Sequence, residues 1–394
     1  MSQFNKQTLR DVDVRGKKVL LRVDFNVSFA DGRISDDTRM RAALPTINYL
    51  LKQQAAIIVI SHLGRPEGRH NKQYSLKPVA LALANMLAVP VQFADDCCGS
   101  KTRAQAAELA EGEIMLLENL RFHAEEEEND PVFASALAAL ADIYVNDAFG
   151  MAHRAHASTA GVTEYLPAVA GLLMERELAS LAQALAHPKK PFTAIIGGAK
   201  VADKIGMIEN LLPKVDHLLI GGGMANTFLA AQGYDMRASR VEEDRLPWVK
   251  ELLASEQACK LALPEDVVAA AKFAAGAEHK NVKPHAIPAD WQALDIGDVT
   301  RQKFAEIIAA SNTIVWNGPV GVFELDDFAA GTVSMAQAVA DSGAFSIVGG
   351  GDSIAALHKM GLASSISHIS TGGGAMLKFL EGKKMPGIEA LNDN

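Results

Sequence analysis

Ala194-Ile195-Ile196-Gly197-Gly198 is a short apolar run that stops abruptly at glycines. The device returns as Leu218-Leu219-Ile220 before Gly221-Gly222-Gly223, and as Ile347-Val348 before Gly349-Gly350-Gly351. It returns again as Ile369-Ser370-Thr371 before Gly372-Gly373-Gly374, with Ile314-Val315-Trp316 before Asn317-Gly318-Pro319 as a variant. A buried strand needs an unbroken apolar run, and a turn with bare backbone needs glycine. Glycines between a strand and a helix let backbone N–H groups approach phosphate oxygens. Lys260 to Leu263 before Pro264, and Ala293 to Ile296 before Gly297-Asp298, read as two further units of the same strand–loop–helix repeat.

Outward from this half, the N-terminal strands end differently. Val19 to Val23 runs into Asp24-Phe25-Asn26, and Ile57 to Ile60 into Ser61-His62-Leu63-Gly64-Arg65. Ile114 to Leu117 precedes Glu118-Asn119-Leu120-Arg121, and Ile143 to Val145 precedes Asn146-Asp147. Val91 to Phe93 is a fifth candidate, and Thr38 to Gln53 and Leu76 to Met86 carry helical patterns between the strands. Apolar strands alternating with helices predict a parallel sheet covered on both faces. Ligands of such sheets sit outside the carboxyl ends of the strands. One half thus offers side chains there and the other backbone, which suggests two ligands and a reaction between them.

The chain has 394 residues, 49% hydrophobic and 22% charged, which predicts more than one domain. Tyr165 to Ala186 reads as a long helix, stopped by His187-Pro188-Lys189-Lys190-Pro191, and the domain boundary is placed along it. A net charge of -9 argues against non-specific nucleic-acid binding. No apolar run approaches the length of a membrane span, so no membrane partner is expected. Three cysteines (Cys97, Cys98 and Cys259) show no metal-ligand spacing and fit a reducing compartment. Met1 to Arg10 lacks an apolar signal core, so a cytoplasmic enzyme is expected.

None of the glycine turns completes Gly-x-Gly-x-x-Gly: Asn226, Ile354 and Leu377 stand at the third glycine position. No Walker A motif, nucleophile elbow or zinc signature is present either. A nicotinamide oxidoreductase and a P-loop nucleotidase are therefore disfavoured. Lys200 and Lys204 follow Gly198 four residues apart, which suits a polyphosphate or a solvated surface equally. Asp352, after the Gly349–Gly351 turn, is placed for a helix N-cap, for Mg²⁺, or for both. Arg39, Arg65, Arg121 and Arg154 lie in or near post-strand segments, as do His62 and His156. Arginine forks match carboxylate and phosphate geometry. Arg22, inside a strand, reads as structural, and Glu125 to Glu128 as a solvated charge run at a helix start. With no acid–base kit in view, positioning and charge neutralisation remain, which is how phosphoryl transfer works.

Taken together, the segments resemble the phosphoglycerate kinase family over nearly the full length. The resemblance rests on LRVDFNV (Leu21 to Val27), DDTRMRAALPTI (Asp36 to Ile47), SHLGRP (Ser61 to Pro66), LLENLRF (Leu116 to Phe122) and NDAFGMAHRAHAST (Asn146 to Thr159). It continues through GGAKVADKI (Gly197 to Ile205), GGGMANTF (Gly221 to Phe228), WNGPVGVFE (Trp316 to Glu324), GGGDS (Gly349 to Ser353) and STGGGA (Ser370 to Ala375). It departs at Ser28, Ser353, Met376 and Lys378, none of which is assigned to the transfer step.

The resemblance implies an α/β protein of two Rossmann-like parallel-sheet α/β/α domains joined by a long helix and hinge. Residues 1–170 would bind phosphoglycerate and 188–375 nucleotide, with 171–187 as the interdomain helix and 376–394 packing back on the first domain. The implied reaction is reversible transfer, 1,3-bisphosphoglycerate and ADP giving 3-phosphoglycerate and ATP, with Mg²⁺ and domain closure. Asp24, Asn26, Arg39, His62, Arg65, Arg121 and Arg154 would hold the phosphoglycerate. Gly198, Gly222 and Gly223 would face the adenosine and Glu324 the ribose. Lys204, Asn317, Pro319, Gly350, Gly351 and Ser353 would complete the nucleotide site, with Asp352 on the metal. Arg39, Lys200 and Gly373 would act on the phosphoryl group in flight. Only small-molecule partners and a monomer are implied.

Overall fold

The computed structural model describes residues 5–394. They divide into two compact units, Met1–Ala179 with Lys384–Asn394, and Ser180–Lys383. The division falls inside the helix Leu172–Leu185.

In the first unit the strands are β1 Lys18–Arg22, β2 Ser28–Ala30, β3 Arg33–Asp36, β4 Ala56–Ile60, β5 Val91–Ala94, β6 Ile114–Leu117, β7 Ile143–Asn146 and β8 Ala168–Ala170. Six form one parallel sheet in the order β5-β6-β4-β1-β7-β8, and β2 and β3 make a small hairpin. β4 and β6 are buried at every residue, as a sheet covered on both faces requires. The helix Thr38–Lys52 buries Met40, Ala43, Ile47 and Leu50, a 3-4-3 spacing that lays one apolar stripe on the sheet.

Two expectations change here. Tyr165 to Ala186 is not one helix. Ala168-Val169-Ala170 pairs with β7 as an edge strand, and the helix begins only at Leu172. Its start is held by buried Asp147, whose Oδ1 accepts from Leu173 N at 2.9 Å and Met174 N at 3.2 Å. A Cβ on Gly171 would lie 2.2 Å from that oxygen, so glycine is required. The returning tail begins at Lys384 rather than residue 376, because the helix Gly373–Leu380 belongs to the second unit. The tail is strapped down by Lys6, whose ammonium donates to Glu389 O, Leu391 O and Asp393 at 2.7–2.9 Å.

The second unit has β9 Phe192–Ile196, β10 His217–Ile220, β11 Leu261–Ala262, β12 Val267–Ala270, β13 His279–Val282, β14 Gln292–Ile296, β15 Thr313–Asn317, β16 Phe345–Gly349 and β17 His368–Ile369. Its parallel sheet runs β11-β10-β9-β15-β16-β17. β12, β13 and β14 instead form a separate antiparallel sheet in the order β13-β12-β14. Ala293 to Ile296 therefore is not a unit of the parallel repeat. An apolar run looks the same in either sheet, and its partner is chosen by packing. No helix among the described residues is long and apolar enough to cross a membrane.

Candidate active site

In the first unit, the register β4-β1-β7 brings Arg22 level with Ile60 and Asn146. The segments after β1, β4 and β6 therefore gather at one end of the sheet. Asp24 anchors them. Arg39 Nη1 donates to its two carboxylate oxygens at 3.0 and 3.1 Å and to Asn26 O at 3.2 Å. Asn26 Oδ1 accepts from Gly64 N at 2.9 Å, and Arg121 Nη1 donates to Gly64 O at 2.8 Å. One chain of bonds thus links three strand ends.

His62 is buried, with Nδ1 3.2 Å from Arg22 Nη2 and 3.9 Å from Asp24. Burial, and then the charges of Arg22, Arg121 and Arg39, hold its pKa well below the usual histidine value. The ring is neutral at pH 7, so Nδ1 accepts from Arg22 and Nε2 carries the proton. Burial lowers the Arg121 pKa, with Arg22 and Arg154 adding to this against the opposing charges of Glu127 and Glu126, so these cations sit close together. Such a cluster lacks a full set of counter-anions and suits a small polyanion. Asp24, Asn26, Arg39 and His62 are joined by direct contacts, and Arg121 joins them through Gly64. Arg154 is half-buried near Arg121. Arg65 is exposed and forms no hydrogen bond or ion pair among the described residues.

The Glu125–Glu128 run is not uniformly solvated. Glu126 is fully buried, and it accepts from Ser158 N at 2.9 Å and Ser158 Oγ at 2.6 Å. Arg22 Nε donates to the same hydroxyl at 2.9 Å. Arg22 is structural as expected, with Glu126 as its counter-charge through Ser158. The neighbouring Glu127 reaches Arg121 Nε at 3.2 Å. A run of four glutamates reads as surface, and only the helix's facing reveals the buried one.

In the second unit, the glycine turns after β9, β10 and β15 interlock. Gly198 N donates to Pro319 O at 2.9 Å, Gly222 N to Val320 O at 2.8 Å, and Met224 N to Gly198 O at 3.0 Å. A Cβ on Gly197 would lie 2.0 Å from Pro319 O, and one on Gly222 2.8 Å from both Gly198 O and Pro319 O. Gly222 also has φ +69°, which side chains resist. These turns wall a cavity of about 410 Å³ containing Gly198, Gly222, Gly223, Pro319, Glu324 and Asp352. Its lining also includes Asn226, Arg240, Phe273, Leu294 and Val322, which sequence reasoning did not assign to a site. Phe273 and Leu294 come from the antiparallel sheet region, and they give the cavity apolar faces suited to a planar ring.

The remaining predicted groups separate. Lys204 contacts Asn317 Oδ1 and is partly buried, and burial lowers its pKa. Lys200 is exposed and makes no bond among the described residues. Asp352 is likewise exposed, at the start of the helix Gly351–Lys359, and has no hydrogen bond or ion pair there. Ser353 is fully buried, and its hydroxyl accepts from Gly318 N at 2.9 Å. It therefore ties two turns together. Gly350 has φ +97°, and Gly373 lies beside it, where an added Cβ would meet Gly350 Cα at an ordinary 3.7 Å. Gly372 to Gly374 are outside the cavity lining.

The chain as a whole has known relatives. A family model described as phosphoglycerate kinase matches residues 9–383. The chain is 57% identical over 390 residues to the phosphoglycerate kinase of Moorella thermoacetica, covering 98% of this chain and 99% of that one. It is 56% identical over 393 residues to that of Herpetosiphon aurantiacus, covering 99% and 100%. Among solved structures, phosphoglycerate kinase from Coxiella burnetii superposes with a TM-score of 0.91 at 43% identity, covering 98% of each chain. The enzyme from Pyrococcus horikoshii OT3 does so with 0.84 at 36%, also covering 98% of each. With the motifs, the two parallel sheets and a full-length match in agreement, this chain belongs to the phosphoglycerate kinase family.

Proposed function

We propose that the cation cluster of the first unit holds the phosphoglycerate and that the glycine-walled cavity of the second holds the nucleotide. The chain is a phosphotransferase with a carboxyl group as acceptor. It transfers a phosphoryl group reversibly between 1,3-bisphosphoglycerate with ADP and 3-phosphoglycerate with ATP. The observation that carries the assignment of substrates is Arg39, held by Asp24 beside Arg121 and a neutral His62.

The acceptor carboxylate of 3-phosphoglycerate is already ionised at neutral pH, so the site needs no general base. His62, kept neutral, fits that requirement as a hydrogen-bond donor through Nε2. Arg39, Arg121 and Arg154, with Arg65 at the exposed margin, neutralise the anion, while Asp24 and Asn26 orient it. Gly198, Gly222 and Gly223 lie against the adenosine, between backbone and the Phe273–Leu294 face, and Glu324 meets the ribose. Lys204 is already partly desolvated, so it gains most from a phosphate. Asn317, Pro319, Gly350 and Gly351 shape that end, and Ser353 holds them from behind. Arg39 and Lys200, with the Gly373 N–H, stabilise the charge in flight.

Mg²⁺ takes one or two carboxylates plus phosphate oxygens. Asp352 fits, being a carboxylate on the cavity wall with no hydrogen bond or ion pair among the described residues. When bound, the ion neutralises phosphate charge. Direct transfer requires the two substrates to meet and water to leave, so the cycle includes closure of the two domains. The protein acts as a cytoplasmic monomer on small molecules alone. A coupled assay with ATP, Mg²⁺ and 3-phosphoglycerate tests the reading. Turnover abolished by Arg39→Ala but not by Arg65→Ala is expected, and no turnover by the folded parent protein would sink it.

A further inference from the structure

Asp96, Cys98 and His123 converge on one point of the first unit, outside the groups assigned to phosphoglycerate. One ligand-type atom of each lies within 4.8 Å of the other two. Sequence spacing conceals the cluster, because its members come from two strand ends. Asp96 and Cys98 follow β5, and His123 follows β6 after one helical turn, Leu120–Phe122. β5 and β6 are paired in parallel with Ala94 opposite Leu117, so the segments after them emerge side by side.

The groups are held before any ion arrives. Asp96 Oδ1 accepts from Cys97 N at 2.7 Å, and Thr102 Oγ1 donates to Asp96 O at 3.2 Å. His123 Nε2 is 2.7 Å from Asp96 Oδ1, and its ring packs on Phe133 with centroids 5.0 Å apart. Cys97 turns inward, its thiol on Glu118 O at 2.8 Å, which leaves its neighbour Cys98 facing the cluster. Asp96 is exposed and the other two are half-buried, so an ion has a way in.

We propose that Asp96, Cys98 and His123 form a binding site for a borderline divalent transition-metal ion, zinc above all, with water in the fourth position. Thiolate, imidazole and carboxylate together are a zinc-type donor set, and Zn²⁺ is tetrahedral with three protein ligands wherever one position stays open. A carboxylate, a thiolate and a neutral imidazole carry two negative charges, which a divalent ion cancels. Mg²⁺ demands oxygen ligands in octahedral geometry, so the ion of the transfer reaction does not compete here. The Cys98 thiol has its pKa raised by burial, then by Asp96 and Glu125. It loses its proton to solvent on binding the ion.

The test uses the untagged full chain, reduced and stripped with a chelator, then titrated with Co²⁺ as a coloured stand-in for Zn²⁺. The expected result is a thiolate-to-cobalt charge-transfer band that saturates at one equivalent, is displaced by Zn²⁺ and ignores Mg²⁺. Cys98→Ser abolishes the band. His123→Gln weakens binding at least about tenfold, the scale seen when even outer partners of a metal are removed. Cys259→Ser, an exposed cysteine elsewhere, leaves it intact. Metal-free melting curves and basal kinase turnover confirm that Cys98→Ser is folded. No band with the parent protein, or a band surviving in Cys98→Ser, overturns the proposal.

Discussion

Arg39 and Asp24 form a partly buried ion pair in which one guanidinium nitrogen bridges both carboxylate oxygens, at 3.0 and 3.1 Å. The carboxylate spends its charge on orienting a cation that points towards the other arginines. Substitution of either partner should therefore be read in kinetics more than in stability. Arg39→Ala is expected to lower kcat by about a thousandfold or more, the scale of a catalytic arginine. A half-exposed ion pair contributes little to stability, so the free energy of urea unfolding should change by less than about 1 kcal/mol. Asp24→Ala should cost about ten- to a hundredfold in kcat/KM, from loss of a charged hydrogen bond. An unchanged kcat in Arg39→Ala would remove it from the transfer step.

Asp352 has no hydrogen bond or ion pair among the described residues, so its removal should cost the fold little beyond a helix-start charge. Asp352→Ala is expected to raise the Mg²⁺ concentration needed for half-maximal rate at least about tenfold, as loss of a first carboxylate should. Titration of rate against Mg²⁺ at fixed ATP checks this, and an unaltered metal dependence would leave Asp352 as a helix-start residue alone.

Gly222 and Gly373 separate backbone crowding from chemistry. Gly222→Ala forces a Cβ to within 2.8 Å of two carbonyl oxygens at φ +69°, and should destabilise by about 2 kcal/mol or more. Gly373→Ala has an ordinary 3.7 Å neighbour, so it should fold normally. A fall in kcat there, with an unchanged melting point, would show that the added methyl intrudes where the transferred group must approach the backbone.

Glu126 and Arg22 share the Ser158 hydroxyl in a fully buried row. Glu126→Gln leaves the Arg22 charge without its counter-charge, and should cost about 3 kcal/mol or more in urea unfolding. A change below about 1 kcal/mol would show that this charge is balanced elsewhere.

Asp147 sets a pH dependence. Burial raises its pKa from 3.8 to about 6, against the bonds it accepts from Leu173 and Met174. The folded state then holds more protons than the unfolded one between those values, so its stability falls as pH rises from about 4 to about 6. Asp147→Asn keeps both amide bonds through its own Oδ1 and should make that slope shallower, leaving the part due to Asp295, which burial raises to about 7. Melting points measured across the window check it, and an equal slope in both proteins would assign the dependence to other groups.

Strand positions were legible because burial on both faces imposes unbroken apolar runs. β1, β4, β6 and β9 lie within a residue or two of where periodicity put them. The Asp24–Arg39–His62–Arg121 gathering was legible too, since ligand groups of a parallel sheet collect at strand ends. The Phe273–Leu294 wall was not, because an antiparallel insertion leaves no signal that distinguishes it from a further parallel unit. The buried Glu126 was hidden by its acidic neighbours, and the bond between Ser353 and Gly318 by their separation along the chain.

The sequence by itself determined the α/β class, the glycine turns and the chemical contrast between the two halves. Each of these follows from residue type and local spacing. Only the tertiary structure decided which strand ends are neighbours. That choice turned Ser353 into a tie between two turns, gave Arg22 its counter-charge, and set Cys98 beside His123. Neighbourhood between distant segments is fixed by how sheets pair and helices pack, and no local pattern carries it.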